Sequence, residues 1–222
     1  MTSATITEDN APRTSVPRFA PAFAVALLAA IAWLFTPGRD TFRTFDGPAL
    51  GRAESGLWRD YYDRHYAALA GGLVSSDRRA FGLNPWDSLN SGLSAASAAR
   101  TFQNSHSRAE AQAALPALTQ HFAILARANH SRFDPARAAK LELEWWQVRR
   151  ETDTGPGAYA LQIAAATAYI YSVDPARLAT YARLRAEAMD LRDQRDTKIT
   201  SADWAKISAL LEQAYTALRA EL

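Results

Sequence analysis

Residues 141–151 read LELEWWQVRRE. Two adjacent tryptophans stand among three glutamates and two arginines, with no glycine or proline to interrupt them. At the helical period of about 100° per residue, Ala138, Leu141, Trp145 and Val148 share one apolar face. Ala139, Leu143 and Trp146 form a second face, well rotated from the first. A helix that is apolar on two sides is buried between neighbours. The stretch therefore predicts the central helix of an all-α domain. Glu142 and Arg149 fall in the seam between the two faces. Glu144 and Glu151 fall on a rim with Lys140. A carboxylate in the seam needs a partner, because an unpaired buried charge is costly. Arg149, two turns on, is the expected one, with an arginine from another helix as the alternative.

The pattern extends outward from this stretch. Apolar stripes with spacings of 3 and 4 recur at Ala111, Leu115, Leu118, Phe122 and Leu125, at Leu178, Tyr181, Leu184, Ala188 and Leu191, and at Trp204, Ile207, Leu211, Ala214 and Leu218. Helix-start signals precede the stripes. Gly47-Pro48, Asn84-Pro85, Asp134-Pro135 and Asp174-Pro175 place a proline in a first turn, and Ser107/Glu110 and Thr200/Asp203 read as capping boxes. Pro116 predicts a kink or a late start. No alternating strand pattern is present. The expectation is an all-α fold of about seven helices over residues 48–222. The DPAR stretches at 134 and 174 look like a repeat, but they share the chemistry of a helix start, which accounts for them.

The N-terminus has a different character. FAPAFAVALLAAIAWLF (Phe19–Phe35) carries no charge. As a helix it would reach about 26 Å, close to the ~30 Å of a hydrocarbon core. Residues 19–36 are thus expected to be an uncleaved transmembrane anchor. A cleaved signal peptide and a buried helix are the rivals; the first fits poorly with Glu8 and Asp9 upstream and the lack of an A-x-A site. Residues 1–18 read as a disordered tail and 37–47 as a linker. Arg39, Arg43 and Arg52 after the span outnumber Arg13 and Arg18 before it, which leans towards a cytoplasmic C-terminal domain on a bacterial inner membrane.

Composition excludes several functions. The chain has 222 residues, no cysteine, and 25 Lys and Arg against 23 Asp and Glu. Without cysteine there are no disulfides, thiolate nucleophiles or cysteine-held metals. No basic stripe of the kind that binds nucleic acid is visible. Phosphate loops, dinucleotide fingerprints, His-Glu-x-x-His and Glu-x-x-His metal motifs and the G-x-S-x-G elbow are all missing. The arginine-over-lysine bias and abundant alanine point to a GC-rich bacterial genome.

Two stretches can carry chemistry. In ESGLWRDYYDRHY (residues 54–66), a continuous helix would align Glu54, Trp58, Tyr61 and His65 on one face. A carboxylate and an imidazole among aromatics can serve as ligands or as a base with its orienting partner. The plainer reading is a buried Glu held by a Tyr or Arg from elsewhere. The central helix adds Glu142, Trp146 and Arg149. Glu54, Tyr61, His65, Glu142, Trp146 and Arg149 are therefore the candidate polar core or ligand site. No catalytic residue, cofactor or resident metal is expected. RLRAEAMDLRDQRD (183–196) reads as a solvated charged face.

LWRDYYDRHY, NPWDSL, FQNSHSRAEAQAALPALTQHFAIL, FDPARAAKLELEWWQVRRE, LRAEAMDLRD and DWAKISALLEQAY together resemble a family of uncharacterised bacterial all-helical proteins. The resemblance implies a single helical domain and brings no activity or ligand with it. Anchor, neutral charge balance and missing catalytic motifs together predict a membrane-anchored, non-enzymatic scaffold or adaptor for another protein, with the membrane as second partner through residues 19–36. The alternative is a ligand- or metal-binding helical domain, possibly enzymatic, using Glu54, His65 and Glu142.

Overall fold

The computed structural model describes residues 28–36, 42–151 and 155–222. Contacts divide the chain into two units, one up to Leu34 and one from Phe35 to Leu222. In the first, residues 28–34 are helical, with Leu28, Ile31 and Trp33 exposed. The expected transmembrane span is corrected here. Among the described residues, no helix is long and apolar enough to cross a membrane. Seven helical residues reach only about 10 Å at the α-helical rise. The single-pass inner-membrane placement, and the cytoplasmic assignment that depended on it, are not supported. The upstream part of that segment, residues 19–27, and the tail 1–18 lie outside the described residues.

The second unit is all-α. Its helices, numbered along the chain, are α1 (Gly47–Tyr62), α2 (Tyr66–Phe81), α3 (Pro85–Gln103), α4 (Arg108–Ala111), α5 (Leu115–Ala128), α6 (Pro135–Glu151), α7 (Pro156–Tyr171), α8 (Ala179–Arg195) and α9 (Ser201–Ala220). Among the described residues nine helices stand where about seven were expected, one of them the four-residue α4, and no strand occurs. The starts follow the capping signals. Asp46, Asn84, Ser107 and Thr200 each accept a hydrogen bond from a backbone N–H of the first turn. Thr200 and Asp203 close a full capping box. Pro116 marks a late start: a short 3-10 turn over Gln112–Ala114 ends where α5 begins.

The extra helix arises at Asp63–His65. Arg64 adopts a left-handed backbone (φ 58°), its N–H bonds to the Tyr61 carbonyl, and the His65 N–H reaches back to the Asp60 carbonyl. That is a Schellman stop with arginine where glycine is usual. The stretch read as one helix over 54–66 is therefore two.

Each long helix packs mainly on the helices before and after it, with α3 reaching α5 past the short α4, and α9 returns to pack on α1. The eight long helices form a closed ring. The closing seam is antiparallel and tight. A Cβ on Gly51 would sit 2.4 Å from the Glu212 amide nitrogen, and one on Gly47 2.9 Å from that of Thr216. Only glycine lets two backbones approach so closely. The core falls into two clusters. Trp58, Trp145, Ile163, Leu178, Ile207 and Leu211 belong to one, and Phe102, Leu118, Phe122, Leu125 and Leu143 to the other. Helix α6 contributes to both, as its two apolar faces predicted. Part of the expected linker belongs to this unit as well. Phe42 and Phe45 are buried, and Phe42 stacks on Tyr171 with ring centroids 4.6 Å apart. Residues 37–41 lie outside the described residues.

Candidate functional site

A ring of helices whose non-neighbours scarcely touch leaves space at its centre. That space is a cavity of about 320 Å³, lined by side chains from every helix except α4. This is within the range of small-molecule sites. Most of its wall is aromatic or aliphatic, and three polar groups interrupt it.

The first is built on Glu54 of α1, which is 6% exposed. Arg185 of α8 donates to Glu54 Oε1 through Nε at 3.1 Å and through Nη2 at 2.5 Å, and Trp58 Nε1 donates to the same oxygen at 3.1 Å. Three donors converge on Oε1 while Oε2, equally buried, has none. Burial opposes the charge on Arg185, but Glu54, followed by Tyr181, Tyr215 and Glu142, outweighs it and raises its pKa further above the ordinary guanidinium value. The guanidinium also lies over the Trp145 ring, 5.0 Å from its centroid. Burial holds the Tyr215 phenol well above its usual pKa, and Glu54 adds to the rise through its charge and through the approach of the phenol to its carboxylate.

The second group is on α6. Glu142 accepts a hydrogen bond from Trp146 Nε1 at 3.0 Å. It does not pair with Arg149. Arg149 turns to α8, where Nε and Nη2 grip the two oxygens of Asp193 at 3.0 and 2.5 Å, and Nη2 also donates to the Tyr62 hydroxyl at 2.6 Å. The expected seam pair is thus corrected. Two helical turns place Glu142 and Arg149 about 10.5 Å apart along the axis, and Asp193 offers Arg149 a bidentate partner. The rim carboxylates Glu144 and Glu151 are both bound by Arg108 of α4, at 2.9 and 2.7 Å. That pairing depresses the Glu151 pKa.

The third group lies between α2, α3 and α5. Asp77 is 4% exposed, and burial raises its pKa, opposed by His121 and Ser91. Ser91 Oγ is 2.8 Å from His121 Nδ1, and Asp77 Oδ2 is 3.7 Å from the same nitrogen. Serine and aspartate crowd one ring nitrogen, whereas a catalytic relay places them on opposite nitrogens. The cluster therefore lacks the geometry of a nucleophilic triad.

Of the six residues singled out in the sequence, Glu54, Tyr61, Glu142, Trp146 and Arg149 line the cavity. The Tyr61 phenol is pushed up to about 12, chiefly by burial and next by neighbouring Tyr62. His65 does not join them. Helix α1 ends at Tyr62, which turns His65 out to solvent, 64% exposed and 3.8 Å from Asp60. His65 therefore does not stand with Glu54 and Glu142 around the cavity. Sequence reasoning missed Arg185, Asp77, His121, Tyr181 and Tyr215. Among the described residues no group of three or more His, Asp or Glu is placed to hold a metal ion. No family model, curated protein or solved structure matches the chain, so the site's own geometry carries the functional argument.

Proposed function

We propose that the domain binds a small organic molecule inside its helical ring. The observation that carries this reading is a cavity of about 320 Å³, lined by all eight long helices, with an aromatic and aliphatic wall and the half-buried Glu142 carboxylate in its lining. Glu54 Oε2, Asp77 Oδ2 and Trp145 Nε1 all belong to cavity-lining residues and have no hydrogen-bond partner. Each such atom costs about 1–3 kcal/mol if left unmade. A fold that needed only a core would fill this space with methyl groups, since interiors are otherwise close-packed. The scaffold reading rested on an anchor and on missing motifs; the cavity gives ligand binding a positive feature.

Thermal shift with indole as a neutral probe tests the reading, on the intact chain and on Ala99→Phe. Ala99 lines the cavity, and a phenyl ring there takes up its space. The intact chain should be stabilised by about 2.7 kcal/mol at a hundredfold excess of probe over its Kd. The filled variant should melt at or above the unliganded wild type and gain little from indole. Equal indole stabilisation of a folded Ala99→Phe would rule out the cavity as the binding site.

A further inference from the structure

Of the carboxylates that line the cavity, Glu54 is paired with Arg185 and Asp77 lies 3.7 Å from His121, whereas Glu142 has no cationic neighbour within ion-pair distance among the described residues. Arg149 is neutralised by Asp193, which grips it with both oxygens. Arg192 approaches the same Asp193, at 3.4 Å, and Glu54, Glu142 and Arg185 form a separate set. Arg185 commits both of its hydrogen bonds to Glu54 Oε1 and feels Glu142 only through space. Glu142 itself has one indole N–H and no ion-pair partner among the described residues. Glu142 thus lines the cavity, half-buried, without a direct ion pair.

The buried atoms without a hydrogen-bond partner include acceptors on Glu54 and Asp77 and donors on Trp145, Gln147 and Arg192. Glu54 Oε2 is an acceptor without a donor, on a side chain more than nine-tenths buried. An anion would meet the Glu54 and Glu142 carboxylates here, and both arginines of the lining are already bound to carboxylates. A metal ion needs several oxygen or nitrogen ligands, and among the described residues no third ligating side chain joins these two. The aromatic wall supplies what a metal does not use. Trp58, Trp145, Trp146, Tyr181 and Tyr215 line the cavity around the two carboxylates. Aromatic faces attract organic cations through their quadrupoles, the more so when water is excluded. Towards α2, α3 and α5 the lining becomes aliphatic and phenyl, with Leu69, Leu73, Phe122 and Leu125.

Building on the cavity as a ligand site, we propose that its ligand is a small organic ammonium ion. Its N–H groups are received by the Glu142 carboxylate, and its apolar body lies against the aromatic and aliphatic wall. Glu142 selects for charge, because it is the carboxylate that lacks a cation of its own.

Titration calorimetry on the full chain with three near-isosteric probes tests the class: 2-phenylethylammonium, 2-phenylethanol and phenylacetate. The ammonium should bind about tenfold or more tighter than the alcohol, as one charge-assisted contact in a desolvated site implies, with the acetate weakest. In Glu142→Gln, which keeps an acceptor for the Trp146 N–H, the preference of ammonium over alcohol should shrink to about threefold or less. If alcohol or phenylacetate equals the ammonium in the wild type, the ligand is not a cation; continued indole binding would leave the cavity reading standing. If neither indole nor any of the three binds, the cavity reading falls and this inference falls with it. An unchanged preference in a folded Glu142→Gln would overturn the role of Glu142.

Discussion

Asp77 is 4% exposed, and its Oδ2 has no hydrogen-bond partner. Burial raises its native pKa above the roughly 3.9 of the unfolded chain. The native state therefore binds this proton more tightly than the unfolded one. The stability due to Asp77 is complete below the unfolded value and is lost as pH rises through the native one. Asp77→Asn, which removes the charge and keeps the shape, should raise Tm at pH 7 and bring little or no gain at pH 4. Thermal melts at the two pH values check this; a variant less stable than wild type at pH 7 would show that the buried carboxylate is ionised and well paired. Asp77 escaped sequence reading because a single aspartate near two serines carries no pattern. Arg185 escaped for the opposite reason, since it sits within the charge run 183–196. Its signal was present in another register: Tyr181, Arg185 and Met189 are spaced by four, and all three line the cavity. Glu54 and Glu142 were legible because each stands one turn before a tryptophan, and the structure joins each to that indole.

At the scale of the element, the seam between α1 and α9 is where a single methyl matters most. A Cβ at Gly51 would collide with the Glu212 backbone, which cannot move aside as a flexible side chain can. Gly51→Ala should therefore cost about 1–3 kcal/mol or more. Gly56, on the same helix, is exposed and has nothing within 4 Å of a built Cβ. Gly56→Ala should gain about 0.5–1 kcal/mol by removing backbone freedom from the unfolded chain. Urea midpoints of the two variants should move in opposite directions, and a shared direction would contradict the tight seam. Helix starts were readable because capping uses a small set of residues at fixed spacing. Helix ends were less so. Arg64, His130 and Ser172 take left-handed backbones just past α1, α5 and α7, at φ 58°, 50° and 53°. Glycine is the usual residue at such a stop, so its absence at Arg64 made two helices look like one.

At the scale of the molecule, periodicity shows which face of a helix is buried but not which helix covers it. The two-faced α6 was legible as central, and it does bridge both core clusters. The ring was not legible, because its closure depends on α1 meeting α9 across some 160 residues, as in the 2.7 Å Arg52–Glu212 ion pair. Nor was the cavity, which is a property of helices that fail to meet. The closing seam pairs Gly47 with Tyr215 and Thr216, and Gly51 with Leu211 and Glu212. The start of the first helix therefore lies beside the end of the last. In such a ring the order in which the helices are synthesised is exchangeable. A permuted chain that begins at Lys198, runs through α9, crosses a short Gly/Ser linker from Leu222 to Phe42 and ends at Thr197 opens an exposed turn and keeps every helix pair. It should fold with the helical content of an unpermuted 42–222 chain, checked by circular dichroism, and retain indole binding. The new break also relieves Asp196, whose φ of 44° is otherwise held in the α8–α9 turn.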